Sequence, residues 1–284
     1  MSNSTIVNSG TKNVGGLFRS PYYNYEYTHD SSVVSETNKA TTVMLFVVGT
    51  SMSCNAYSDI AAKCASGQSM VFVVVDNNPG NLVKLSGGKT AEAFNDIVAK
   101  ITDRLGDIVT SDAAIFVGGH SAGGYSVIEA LQVNDGKLSF QPAGYLGADP
   151  LGRGKGVPAK KIDVPTFAIG FTVETCAVTL SQAGLAAYNV TSDKNRVMMQ
   201  VVNPKDPGNQ ITHCIFSSDG CTACPSHEAG AWVRQVIANF YHIFANSVVN
   251  GKKTSKADYE SAVGDDYKSL VNVFYGDETA TVPK

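Results

Sequence analysis

The chain has 284 residues, 43% of them hydrophobic and 17% charged, with a formal net charge of −3. That balance is ordinary for a globular protein and supplies enough chain to bury a substantial core in one large α/β domain or two small ones. No basic stripe marks a nucleic-acid surface, and no apolar run reaches the roughly 20 residues that a bilayer span requires.

Residues 1–20 are rich in Ser, Asn, Gly and Thr and read as a flexible lead-in without a charged-then-apolar signal pattern. The stretch "PYYNYEYTHDSSVVSE" then alternates aromatic and polar residues, as an edge strand or hairpin does. Six apolar, β-branched runs follow: 41–49, 69–77, 113–119, 142–149, 164–172 and 196–203. Strands that are apolar at nearly every position are buried on both faces, which predicts a parallel sheet. Helical patterns separate them: "AYSDIAAKCA", residues 91–105 with Phe94, Ile97, Val98, Ile101 and Leu105 on one stripe, and residues 122–133. A last stripe joins Val233, Val236, Ile237, Phe240, Tyr241 and Phe244, and packing in the core explains its aromatics. Strands alternating with helices predict a doubly wound, mostly parallel α/β sheet. With no internal repeat and no linker, residues 21–284 read as one domain, expected to be a monomer.

The most informative stretch is "GGHSAGGYS", residues 118–126. Gly119-His120-Ser121-Ala122-Gly123 fits Gly-x-Ser-x-Gly between an apolar strand and a helix. A strand that reverses sharply into a helix presents its serine on a strained backbone, and only small residues two before and two after avoid a clash. The helix that follows aims free N–H groups at the serine, favouring developing negative charge. Ser121 is therefore the candidate nucleophile.

Serine needs a base to take its proton, and the base needs a carboxylate to orient it. In this arrangement the chain order is serine, acid, histidine. His29 and His120 precede Ser121, and His242 falls within the last helical stripe, where a structural role is expected. His213 and His227 both occupy the polar loop between the last strand and the last helix. His213 is nearer the strand end and is preferred; His227, between Ser226 and Glu228, reads as the capped first turn of the helix. For the acid, Asp149 in "LGADPLG" stands at the C-terminal end of the strand after the nucleophile, where α/β sites assemble. Glu174 at the end of the next strand is the alternative. Asp163 lies at the wrong edge, and Asp206 reads as a turn residue. The oxyanion donors are expected to be the N–H groups of Ala122 and, from the turn "VVGTSM", Thr50, with Ser51 as an alternate. The segment 173–195 and the loop 77–90 are the expected pocket walls.

The run "VMLFVVGTSMSCNAYSDIAAKCASGQSMVFVVVD", then "GGHSAGG", "LGADPLG" and "VPTFAIGF", resembles the chlorophyllase-like branch of the α/β-hydrolase fold over about residues 41–245. The resemblance implies ester hydrolysis by a Ser-Asp-His triad without a cofactor, on a small-molecule or lipid-like ester; chlorophyllases release phytol from chlorophyll. The family's acid, in an Asp-Pro pair after the strand that follows the nucleophile, matches Asp149. Its histidine precedes a short cysteine-containing segment and the last helix, which matches His213, "CTAC" (221–224) and 229–245. Two departures stand out. Chlorophyllases carry arginine after the nucleophile, where this chain has Ala122, and a His-Gly pair at the oxyanion turn, where it has Val48-Gly49. The reaction class carries over and chlorophyll as substrate does not, so cutinase-like polyester cleavage or a general carboxylesterase fits as well. An acyltransferase is the alternative within the same chemistry, and a non-catalytic binding module the one outside it.

Six cysteines and the sequons at Asn3 and Asn189 lean toward an oxidising compartment, secreted or luminal, over the cytoplasm. Cys214, Cys221 and Cys224 lie near His213 and His227, yet a single C-x-x-C falls short of a zinc ligand set. Disulfides bracing the histidine loop are the better expectation, and Cys54 and Cys64 are a further candidate pair.

Overall fold

A computed structural model describes residues 6–8, 12–13, 23–76, 87–132, 138–151, 161–172, 183–192, 195–203, 211–218 and 231–281. Each apolar run becomes a strand: β4 (Ala40–Val47), β5 (Met70–Asp76), β6 (Val109–His120), β7 (Gly144–Ala148), β8 (Thr166–Phe171) and β9 (Arg196–Val201). These six pair in parallel in the order β5-β4-β6-β7-β8-β9. The aromatic–polar stretch supplies β3 (Asn24–Asp30), antiparallel to β5, and the short strands β1 (Ile6–Asn8) and β2 (Lys12–Asn13) pair with β3. At the other edge β10 (Val271–Tyr275) runs antiparallel to β9. The sheet is thus mostly parallel, with antiparallel strands at its two edges.

Alternate side chains of the central strands enter two separate cores. On one face Met44, Phe46, Phe72 and Phe167 pack against α1 (Ser58–Ala65), α5 (Ala231–Asn250) and α6 (Lys256–Val263). On the other Val43, Leu45, Val73 and Tyr145 pack against α2 (Gly87–Leu105), α3 (Ser121–Gln132) and α4 (Ala183–Val190). Period-two burial on both faces is why these strands read as continuously apolar. Along α5, Val233, Val236, Ile237, Phe240, Tyr241 and Phe244 are all buried, in agreement with the one-sided stripe. Each such side chain contributes about 1.5–3 kcal/mol by leaving water.

Cys54 and Cys64 do not pair with each other; both are buried thiols, and Cys54 donates to the Val74 carbonyl at 3.4 Å. The 3-10 turn Cys54–Tyr57 runs straight into α1, so ten residues of helical rise separate the two. That is about 15 Å, more than twice the roughly 7 Å a disulfide can span between Cα atoms. No described helix is long and apolar enough to cross a membrane.

Candidate functional site

Strand order decides where a site can form. From β4 the chain crosses to β5 on one side, then returns to β6 on the other, so the connections after β4 and β6 leave the sheet in opposite directions. In open α/β sheets the crevice that takes a ligand forms outside the C-terminal ends of strands at such a point. Ser121 follows β6 directly, and Gly49–Ser51 form the turn after β4. The register aligns Val47 with Gly119 and His120 with Ala148, so Asp149 leaves β7 beside Ser121. A hydrogen bond from the Leu151 N–H to the Ser121 carbonyl (3.0 Å) ties the two turns together.

Three described non-glycine residues have a left-handed backbone: Ser51 (φ 60°), Ser121 (φ 52°) and Asp149 (φ 43°). All three stand at this edge of the sheet. Such conformations cost of order 1–3 kcal/mol each and persist only where the surroundings impose them. At Ser121 the imposition is visible in the flanking glycines. A Cβ on Gly119 would meet the Val47 carbonyl oxygen at 2.8 Å and the Gly124 nitrogen at 2.7 Å. One on Gly123 would lie 2.6 Å from the Val47 oxygen and closer still to that of Val48. The strand-to-helix reversal closes because both positions lack side chains.

His213 opens the 3-10 turn His213–Phe216 and is buried, as is Asp149. Its Nδ1 lies 2.6 Å from Asp149 Oδ2. A carboxylate only accepts, so Nδ1 carries a proton toward Asp149, and Nε2 is the nitrogen left to act as a general base. The structure therefore brings Asp149 and His213 together at the end of the sheet that carries Ser121. Asn203 holds the start of this segment: its side-chain amide donates to the Ile211 carbonyl (2.9 Å) and accepts from the Ile211 N–H (2.8 Å). On the far side Arg234 bonds both the Ile215 carbonyl (3.0 Å) and Asp59 (2.5 Å), and the Ser218 N–H reaches the Ala56 carbonyl at 2.8 Å. Cys214, beside the histidine, is buried and disulfide-bonded.

No protein-family model matches the chain, and neither does any curated protein.

Ala122 is the second residue of α3, and the turn after β4 abuts Ser121, with a Cβ on Gly49 lying 3.4 Å from the Ser121 Cβ. The Gly49 N–H is taken by the Tyr57 hydroxyl at 2.9 Å, which leaves Thr50 and Ser51 as this turn's candidates for an oxyanion donor. His120, the neighbour of Ser121 along the chain, is buried against Phe216 and His213. His242 donates from Nε2 to the Cys64 carbonyl at 2.7 Å, a structural bond on α5. His227, Glu174, Asp206, Cys221 and Cys224 lie outside the described residues. So do most of the two expected pocket walls, although 183–190 of the first is the helix α4, packed on the sheet. Sequence reasoning missed Asn203 and Tyr57. An asparagine just past a strand and a tyrosine in a helical pattern carry no signal of the backbone groups they hold.

Proposed function

We propose that the chain is a serine-dependent carboxylic ester hydrolase of the α/β-hydrolase fold, acting through an acyl-enzyme. The observation that carries this reading is the buried Asp149–His213 contact at 2.6 Å, beside a serine held at φ 52° between a strand and a helix. An imidazole oriented by a carboxylate, at the sheet edge that carries a strained serine, is the arrangement that makes a hydroxyl nucleophilic. The order serine, aspartate, histidine along the chain and the resemblance to chlorophyllase-like hydrolases support it further.

In the forward half-reaction Ser121 Oγ attacks the ester carbonyl while His213 Nε2 takes its proton. The oxyanion is held by the N–H groups of Ala122, at the start of α3, and Thr50, in the turn after β4. The tetrahedral intermediate collapses, the C–O bond to the alcohol breaks, and His213 returns the proton to the leaving oxygen. Water then attacks the acyl-enzyme with the same proton traffic, releasing the acid and restoring Ser121. Asp149 fixes the His213 tautomer and stabilises the imidazolium in both halves. No step calls for a cofactor. The substrate class is a small or lipid-like ester; Ala122 replaces the arginine of chlorophyllases, so chlorophyll is one candidate among hydrophobic esters.

Hydrolysis of a short p-nitrophenyl ester tests the proposal. Ser121→Ala is expected to lower kcat by about 10³-fold or more. Turnover retained by that variant would contradict it.

A further inference from the structure

His120, the residue inside the Gly-x-Ser-x-Gly turn, does more in this fold than fill space. Its Nε2 lies 2.9 Å from the backbone carbonyl of His213, and its Nδ1 lies 2.7 Å from the Tyr57 hydroxyl. The same hydroxyl receives the N–H of Gly49 at 2.9 Å. Chemistry fixes every proton along this chain. The His213 carbonyl can only accept, so Nε2 of His120 carries the hydrogen and Nδ1 is the acceptor. The Tyr57 hydroxyl must then donate to Nδ1, and its oxygen is left to accept from Gly49. One unbranched run of three hydrogen bonds joins the turn after β4, the 3-10 turn before α1, the nucleophile turn and the backbone of the histidine. All its side chains are buried, with His120 at 1% and Tyr57 at 0% exposure.

Burial keeps both groups in the states the run needs. The Tyr57 hydroxyl is pushed above its usual range and stays protonated, and His120 is held well below its usual range, first by burial and then by the neighbouring His213. A neutral His120 also puts no second cation beside His213, whose ring centroid is 4.4 Å away, when that imidazole takes the serine proton.

We propose that Tyr57 and His120 are positioning residues that lock the oxyanion turn and the base into one register by tethering Gly49 and the His213 backbone to each other. The proposal rests on the ester-hydrolase reading and deepens it. Asp149 alone fixes one end of the His213 ring, and a ring held at one end can swing about that bond. The tether at the His213 carbonyl fixes the backbone from which the ring springs. The bond to Gly49 aligns the peptide units that follow it, which hold the Thr50 and Ser51 N–H groups. Misplacement of base or donor by 1 Å costs rate while leaving substrate affinity largely alone.

Two substitutions at one position separate tethering from packing. Glutamine places its amide nitrogen near the histidine Nε2 position and can still reach the His213 carbonyl; asparagine places its amide near Nδ1 and cannot. In the full chain, with a p-nitrophenyl ester, His120→Asn is expected to lower kcat by about tenfold with KM within about twofold, while His120→Gln keeps kcat within about threefold. Tyr57→Phe should lower kcat by a similar factor, and Tyr57→Phe combined with His120→Asn should lose little more than either alone. Equal losses in the two His120 variants, wild-type kcat in His120→Asn, or losses that multiply in the double variant would overturn the proposal. Nuclear magnetic resonance provides a readout independent of turnover and of how the variants fold. The wild-type His120 should be a neutral Nε2–H tautomer, and an Nδ1–H tautomer would overturn the tether outright. A wild type without turnover contradicts the ester-hydrolase reading, whereas a turning-over wild type with an unaffected His120→Asn contradicts the tether alone.

Discussion

At Ser121 the backbone is held in a left-handed conformation that side chains rarely adopt, and the cause is two missing side chains. Gly119 and Gly123 let β4 and the first turn of α3 approach closely enough that the chain has no other way to reverse. Gly123→Ala is therefore expected to act more severely than its single methyl suggests. The added carbon meets two backbone oxygens that cannot swing aside, so the turn must open and Ser121 must move. We expect a loss of several kcal/mol in urea unfolding together with loss of ester turnover. A variant with wild-type stability and activity would show that the turn has room to spare. This much was legible in the residues themselves, because a Gly-x-Ser-x-Gly pattern between an apolar strand and a helix names the constraint along with the serine. Asp149 was legible for a similar reason, standing at a strand's end before proline. Its left-handed φ was not, because it depends on how two neighbouring turns dock.

Elements explain why the histidine is where it is. The 3-10 turn His213–Phe216 is too short to hold itself in place, since a single turn gains little from its own hydrogen bonds. It is held from outside, by Asn203 at its start and by Arg234 and Ala56 at its end. Asn203→Ala removes both bonds to the Ile211 backbone and leaves two buried groups without those partners. The expected result is about 1–3 kcal/mol lost in stability and a lower kcat, read by thermal unfolding and steady-state kinetics. Unchanged kcat with lowered stability would mean that the clip serves the fold and not the base. The six parallel strands were legible as continuous apolar runs, and helices α1, α2, α3 and α5 as the helical patterns that separate or follow them. Helices α4 and α6 and strand β10 were not. Helix α4 buries Ala183, Gly184 and Ala187, whose small side chains write no apolar stripe, and places Gly184 against the Ile169 backbone. In α6 only Tyr259 and Val263 are buried, too few to show a period.

For the whole molecule, the order β5-β4-β6 creates the switch point at which the site residues gather, and the sequence could state the class of sheet without stating which strands are neighbours. The same burial that builds the core also sets a response to acid. His29, His120 and His242 are all held below the ordinary value of 6.5, with burial the first cause in each. The unfolded chain binds protons at these positions that the folded chain refuses. The stability that these three imidazoles contribute is therefore fully present above about pH 6.5 and falls as the pH drops below it, because the unfolded state gains the protons. The urea midpoint should be lower at pH 5 than at pH 7, and equal midpoints would contradict neutral burial of these imidazoles.

The central claim is that Ser121 is a nucleophile activated by His213 and Asp149. Reaction with a fluorophosphonate followed by peptide mass spectrometry tests it most directly, because covalent capture requires an activated hydroxyl and names the residue. The mechanism predicts one adduct, on Ser121, formed quickly in the wild type and lost in His213→Ala. A wild type that stays unlabelled, or an adduct on another residue, would contradict it.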